Sequence, residues 1–166
     1  MKGSNHLPLY FGGFAVIAFA LGAPSARAQE AGRDVCQAVG NHAPEPLGDR
    51  QGHAMETELD SCRTTEGLMA GAVMNASAIW EWDGAKATLL SSQGTSRKPG
   101  ATVAFQGIDG KVELMMSNGK VTGSTASGHT LITLATGDAA PLQGKTAAWT
   151  AKSTGPDSFE LEYIFK

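Results

Sequence analysis

The sequence predicts an all-β fold, an antiparallel up-and-down barrel of about eight strands. Two observations carry this expectation. Turn signals recur at strand-length intervals: Asp83-Gly84, Lys98-Pro99-Gly100, Asp109-Gly110, Asn118-Gly119 and Gly155-Pro156-Asp157. Gly, Asn and Asp tolerate the positive φ of tight hairpins, and Pro presets the first turn position. Between the turns, apolar side chains alternate at period two, the spacing that places successive residues on opposite faces of a strand. No interval is left for a long helix.

Residues 1–28 read as a secretory signal peptide. Lys2 lies near the start, an apolar run extends from Leu9 to Gly22, and small residues stand at Ala26 and Ala28, with cleavage expected before Gln29. The apolar run is shorter than the roughly 20 residues of a membrane span. The expected protein is therefore periplasmic or secreted, with no membrane span after cleavage; an uncleaved anchor is the alternative. What remains suits a single domain. Thirteen Lys and Arg face sixteen Asp and Glu, a formal charge of −3, and no run gathers the basic residues, which argues against a nucleic-acid partner. Nothing in the pattern speaks to oligomeric state.

Residues 29–48 are polar and small, with Pro44 and Pro46 close together, and read as an arm with one helical turn near Asp34 to Val39. The chain has two cysteines, Cys36 and Cys62. An even count in an oxidising compartment favours a disulfide over two free thiols, and such a bond would strap the arm across the outside of the barrel. Residues 49–166 are then the single β-barrel domain.

Within that domain, strands are expected at 53–63, 67–82, 85–97, 101–108, 111–117, 120–136, 145–153 and 158–166. The strongest is the second. Leu68, Ala70, Ala72, Met74, Ala76, Ala78, Trp80 and Trp82 fall on one face, and Asn75, Ser77 and Glu81 on the other. Its length calls for a bulge near Asn75 to Ser77. Val112, Leu114 and Met116 alternate likewise, as do Ala147, Trp149 and Ala151, then Phe159, Leu161, Tyr163 and Phe165. An open meander of this size would expose two edges, and closure into a barrel removes them. A two-sheet β-sandwich is the alternative, disfavoured by the run of short hairpins.

The stretch "GDRQGHAMETELDSC" resembles a group of uncharacterised exported bacterial proteins that carry a Gly-Asp, a His four residues after the Asp, and a Cys closing the first strand: here Gly48, Asp49, His53 and Cys62. In architecture the chain is similar to allene-oxide-cyclase-like and dirigent-like barrels, or to lipocalins. The resemblance implies a fold and no reaction, since one fold hosts many functions.

Chemistry is sparse. His42, His53, His129, Met55, Met115 and Met116 lack the short repeated spacing of a metal site, and core packing explains most of the methionines. There is no Gly-x-Ser-x-Gly and no geometric warrant for a triad, so no catalytic residue is assigned and no cofactor is called for. On alternation, His53, Met55, Thr57, Leu59 and Ser61 are expected to face inward, and Ala54, Glu56, Glu58, Asp60 and Cys62 outward. Trp80, Trp82, Trp149 and Tyr163, with His53 and Met55, are the candidates for lining an interior cavity that holds a small apolar or aromatic ligand. Two other functions fit the same sequence: a cyclase or isomerase in which His53 or Asp49 moves a proton, and a packed envelope domain with no ligand.

Overall fold

The computed structural model describes residues 30–166, so the expected signal peptide lies outside the described residues. Nine strands follow in order: β1 (Ala31–Ala38), β2 (Glu45–Pro46), β3 (His53–Glu66), β4 (Val73–Asp83), β5 (Lys86–Lys98), β6 (Ala101–Ser117), β7 (Lys120–Gly137), β8 (Thr146–Gly155) and β9 (Ser158–Phe165). From β3 to β9 each strand pairs antiparallel with the next, and β1 sits between β9 and β3. Eight strands therefore close into an up-and-down barrel. The short β2 pairs with Ala54 and Met55 near the start of β3, on the edge that β1 leaves free.

Both the barrel and its neighbour-to-neighbour order match the expectation, but the staves are counted differently. Asp109-Gly110 makes no hairpin, because β6 continues through it, pairing Asp109 with His129 and Gly110 with Gly128. Ile108 is the extra residue of a bulge there, between Gly107 and Asp109. The eighth stave is β1, drawn from the segment read as an outlying arm. No helical turn forms at Asp34. Instead Gly32, Asp34, Cys36 and Ala38 face inward in alternation with exposed neighbours. That alternation is hard to see in sequence because its inward row is small and contains a charge.

The hairpins follow turn chemistry closely. Asn118 and Gly119 both have positive φ (51° and 74°) between the paired Ser117 and Lys120. Asp83 itself pairs with Lys86, so the turn residues are Gly84 and Ala85, with Gly84 at φ 65°. Residues 67–72 form a turn, so β4 begins only at Val73. Its register shift falls at Ile79/Trp80, a few residues beyond the expected place.

One end of the barrel is plugged. Met69 and Ala72 from the turn before β4, with Ala139 and Leu142 from the segment before β8, pack on Ala101, Val103 and Ile132. A 3-10 turn, Ala140–Leu142, tucks Leu142 fully out of solvent. At the opposite end lie the β4–β5, β6–β7 and β8–β9 hairpins together with residues 39–52. Among the described residues no helix is long and apolar enough to cross a membrane.

Cys36 and Cys62 are bonded and are direct partners of β1 and β3. Both are buried at 2–3% exposure, so the bond fastens two staves from the inside and not an arm from the outside. Closing a loop of 26 residues is worth about 3 kcal/mol in the chain-entropy description. Replacing both cysteines by alanine should lower the free energy of unfolding in guanidinium by about that amount. An unchanged midpoint and slope would show that β1 is held without the bond.

Candidate functional site

The interior follows from the register of β3 against β4. His53 opposite Asp83 places Ala54, Glu56, Glu58, Asp60 and Cys62 opposite Trp82, Trp80, Ala78, Ala76 and Met74. The β4 row faces inward as the alternation predicted, so the β3 acids face inward with it. This reverses the expected orientation of β3. Met55 and Leu59 are exposed at 41% and 52%, whereas Glu56 is exposed at only 7%. The reason is hydrogen bonding. The Trp82 indole N–H donates to Glu56 Oε2 at 2.6 Å, and the Trp80 N–H donates to Glu58 Oε2 at 3.0 Å. Each indole reaches the acid diagonal to its own cross-strand partner, a distance long side chains can span. The carboxylates thus satisfy donors that would otherwise be buried unpaired.

The wall encloses a cavity of about 1200 Å³, at or beyond the upper end of the usual range for small-molecule sites. Trp80, Trp82, Trp149 and Tyr163 all line it. His53 reaches it only at the rim, and Met55 is not among the lining residues. Two of the rings lie over glycines. Trp149 is paired with Gly128 and Tyr163 with Gly32, and a Cβ at either glycine would collide with the ring. The absent side chains let these aromatics lie against the wall, which keeps the lumen open. Small residues at Ala76, Ala78, Ala126, Ala147 and Ala151 do the same elsewhere. The packed interior that an envelope domain would require is therefore not found.

Five carboxyl groups line this space: Asp34 on β1, Glu56, Glu58 and Asp60 on β3, and Asp157 in the β8–β9 turn at the mouth. Burial, then the charge of Glu58, pushes Asp60 up to about 8. Burial also raises Glu58, against the Trp80 hydrogen bond, and raises Asp34, against Thr64. Tyr163 is raised by burial and then by the nearby Asp34. One oxygen each of Asp34 and Asp60, and the hydroxyl of Ser96, have no hydrogen-bond partner.

Two histidines fasten the rim. His42 Nε2 lies 2.9 Å from Asp157 Oδ1 in the β8–β9 turn, and Nδ1 lies 3.3 Å from Glu56 Oε1. Residues 39–46 are thereby held across the mouth. Burial opposes the charged form of His42, but the two carboxylates outweigh it and raise its pKa. His53 is in the outward row of β3. Its Nδ1 is 2.5 Å from Asp49 Oδ1 and its Nε2 is 2.8 Å from Glu81 Oε1. The hydrogen bonds to Asp49 and Glu81 raise His53, and the one from His53 lowers Asp49. With both ring nitrogens engaged, His53 and Asp49 form a rim clasp and do not project into the lumen as the isomerase alternative asked. His129 is paired with Asp109 on the exposed face. Among the described residues no group of three or more His, Cys, Asp or Glu side chains could hold a metal ion.

The chain matches no protein-family model, no curated protein and no solved structure.

The raised carboxyls set a pH dependence. Between the ordinary value of about 4 and its folded value of about 8, Asp60 holds a proton that the unfolded chain has released, so stability falls as pH rises, and the upward shifts of Glu58 and Asp34 act in the same direction. The raised histidines act in the same direction above their ordinary value. The wild-type Tm should fall from about pH 5 to about pH 9, and Asp60→Asn should make that slope shallower. Equal slopes in the two proteins would place Asp60 in solvent.

Proposed function

We propose that this is an exported binding protein that holds a small apolar or aromatic ligand inside the barrel. The observation that carries the reading is the lumen of about 1200 Å³ with three tryptophans and Tyr163 in its wall. Such rings bury ligand area, and the indole N–H groups of Trp80 and Trp82 stay hydrogen-bonded. The plug of Leu142, Met69 and Ala139 leaves entry to the end crossed by residues 39–46. Export is supported by the disulfide, which persists in oxidising compartments, and by the leader-like residues 1–28. Kinship with the exported bacterial barrels sharing Gly48, Asp49, His53 and Cys62 belongs to the same proposal.

The test uses the neutral probe N-phenyl-1-naphthylamine, whose fluorescence rises in apolar surroundings. Ala76 lines the cavity opposite Asp60 and Gly94, so Ala76→Phe places a ring in the lumen. The wild-type protein should bind the probe with quenching of tryptophan emission, and Ala76→Phe should weaken binding about tenfold with a Tm near that of the wild type. No binding by the wild type, or equal binding by a folded Ala76→Phe protein, would overturn the reading.

A further inference from the structure

Resting on the reading of the lumen as a binding site, we propose that its ligand is an organic cation: an amine or quaternary ammonium ion with an apolar or aromatic body. The charged end lies among the inward carboxyls of β3 and β1, and the body lies against Trp80, Trp82 and Trp149.

The first ground is the sign of the interior. Asp34, Glu56, Glu58 and Asp60 line the cavity, whereas the basic residues along it lie at the mouth. Of these, His42 is spent on Glu56 and Asp157, and His53 on Asp49 and Glu81. Arg50 lies beside Asp49 and Asp83 on the rim. Lys152 is in the outward row of β8, paired with Glu160 of β9. No base reaches Asp34, Glu58 or Asp60 among the described ion pairs. Glu56 and Glu58 each accept one indole N–H, which leaves the row short of positive charge.

The second ground is that buried polar atoms without partners lie both in the row and outside it. Asp34 is 2% exposed, lines the lumen near the plugged end, and has an oxygen with no donor. Ser96, 7% exposed and two strands along from Cys62 at the same register level, also lacks a partner for its hydroxyl, and Asp60 has one bare oxygen. A buried polar atom without a partner is costly, and an ionised carboxylate can only accept. The Ser96 hydroxyl lacks a partner of either kind, and Asp34 and Asp60, once ionised, lack hydrogen-bond donors carrying positive charge. An ammonium head supplies them, and a quaternary head supplies the charge alone.

The third ground is the aromatic lining. A cation near the face of Trp is held by the ring quadrupole, the interaction used to bind quaternary ammonium groups. Trp80 and Trp82 are fixed by their own hydrogen bonds to Glu58 and Glu56, so little ordering remains for binding to impose. An anionic amphiphile of the same shape would meet the carboxyls and no buried base.

Three probes of similar size separate the possibilities: benzyltrimethylammonium, its uncharged carbon isostere neopentylbenzene, and the anion 3-phenylpropanoate. Binding to the purified protein is read by tryptophan fluorescence at about pH 9, where Asp60 is ionised. The cation should bind at least about tenfold more tightly than the neutral isostere, and the anion should bind most weakly. The Glu58→Gln/Asp60→Asn and Asp34→Asn proteins should each bring the affinities for cation and isostere closer together, by weakening the cation more than the isostere. Equal affinity for cation and isostere in the wild type, which requires no variant to fold, overturns the charge selection and leaves the apolar lumen standing. Tighter binding of the anion overturns it as well. Failure of all three, together with N-phenyl-1-naphthylamine, removes the binding site itself.

Discussion

The structure depends on where its first strand goes. β1 is only eight residues long, yet it pairs with β9 along seven positions and with β3 along six. Without it, β3 and β9 would be open edges of a long meander, each offering unpaired N–H and C=O groups to other chains. With it, the sheet has one inside. The inward direction is then fixed for every strand at once, because side chains alternate and neighbouring registers are locked. The Cys36–Cys62 bond sits at this closure, between direct partners and within the lumen wall. It limits how far the seam can open.

Closure brings chemistry that no single strand contains. The β3 acids meet the β4 indoles, and Asp34 of β1 comes beside Thr64 and Tyr163. The site is therefore a property of the ring of strands and not of a loop. Glycines and alanines on the inward rows leave volume, and the plug of Leu142 and Met69 seals one end. The mouth is bridged by His42, whose two carboxylate partners come from a strand interior and from a distant hairpin. Volume, sign of charge and access thus follow from the same register.

Much of the fold was legible because turns and alternation are local signals. Asn118-Gly119 marks its hairpin outright, and period two alone places Trp80, Trp82, Trp149 and Tyr163 on the face that lines the lumen. Asp109-Gly110 misled because the same dipeptide that turns a hairpin also accommodates a bulge, and only pairing with β7 decides between them. The orientation of β3 misled for a different reason. Three acids in one row read as a solvated face, since burying carboxyls is costly unless donors meet them. The donors are tryptophans on the next strand, so the offset is visible only once the register is known. One clue was present: Cys62 shares the acid row, and disulfide cysteines are commonly buried. Following Cys62 inward would have carried Glu56, Glu58 and Asp60 with it. Asp34 and His42 had no comparable signal, because both lie in a segment whose pairing is entirely long-range.

The charge and the lining of the lumen depend on those three acids facing inward. Carboxyl-carbon NMR titration of the Asp and Glu side chains observes them one by one. With the row inside, Asp60 titrates near 8 and Glu58 above the usual glutamate range. If both instead titrate near the ordinary value of about 4, the row faces water, and the inward register of β3 is contradicted.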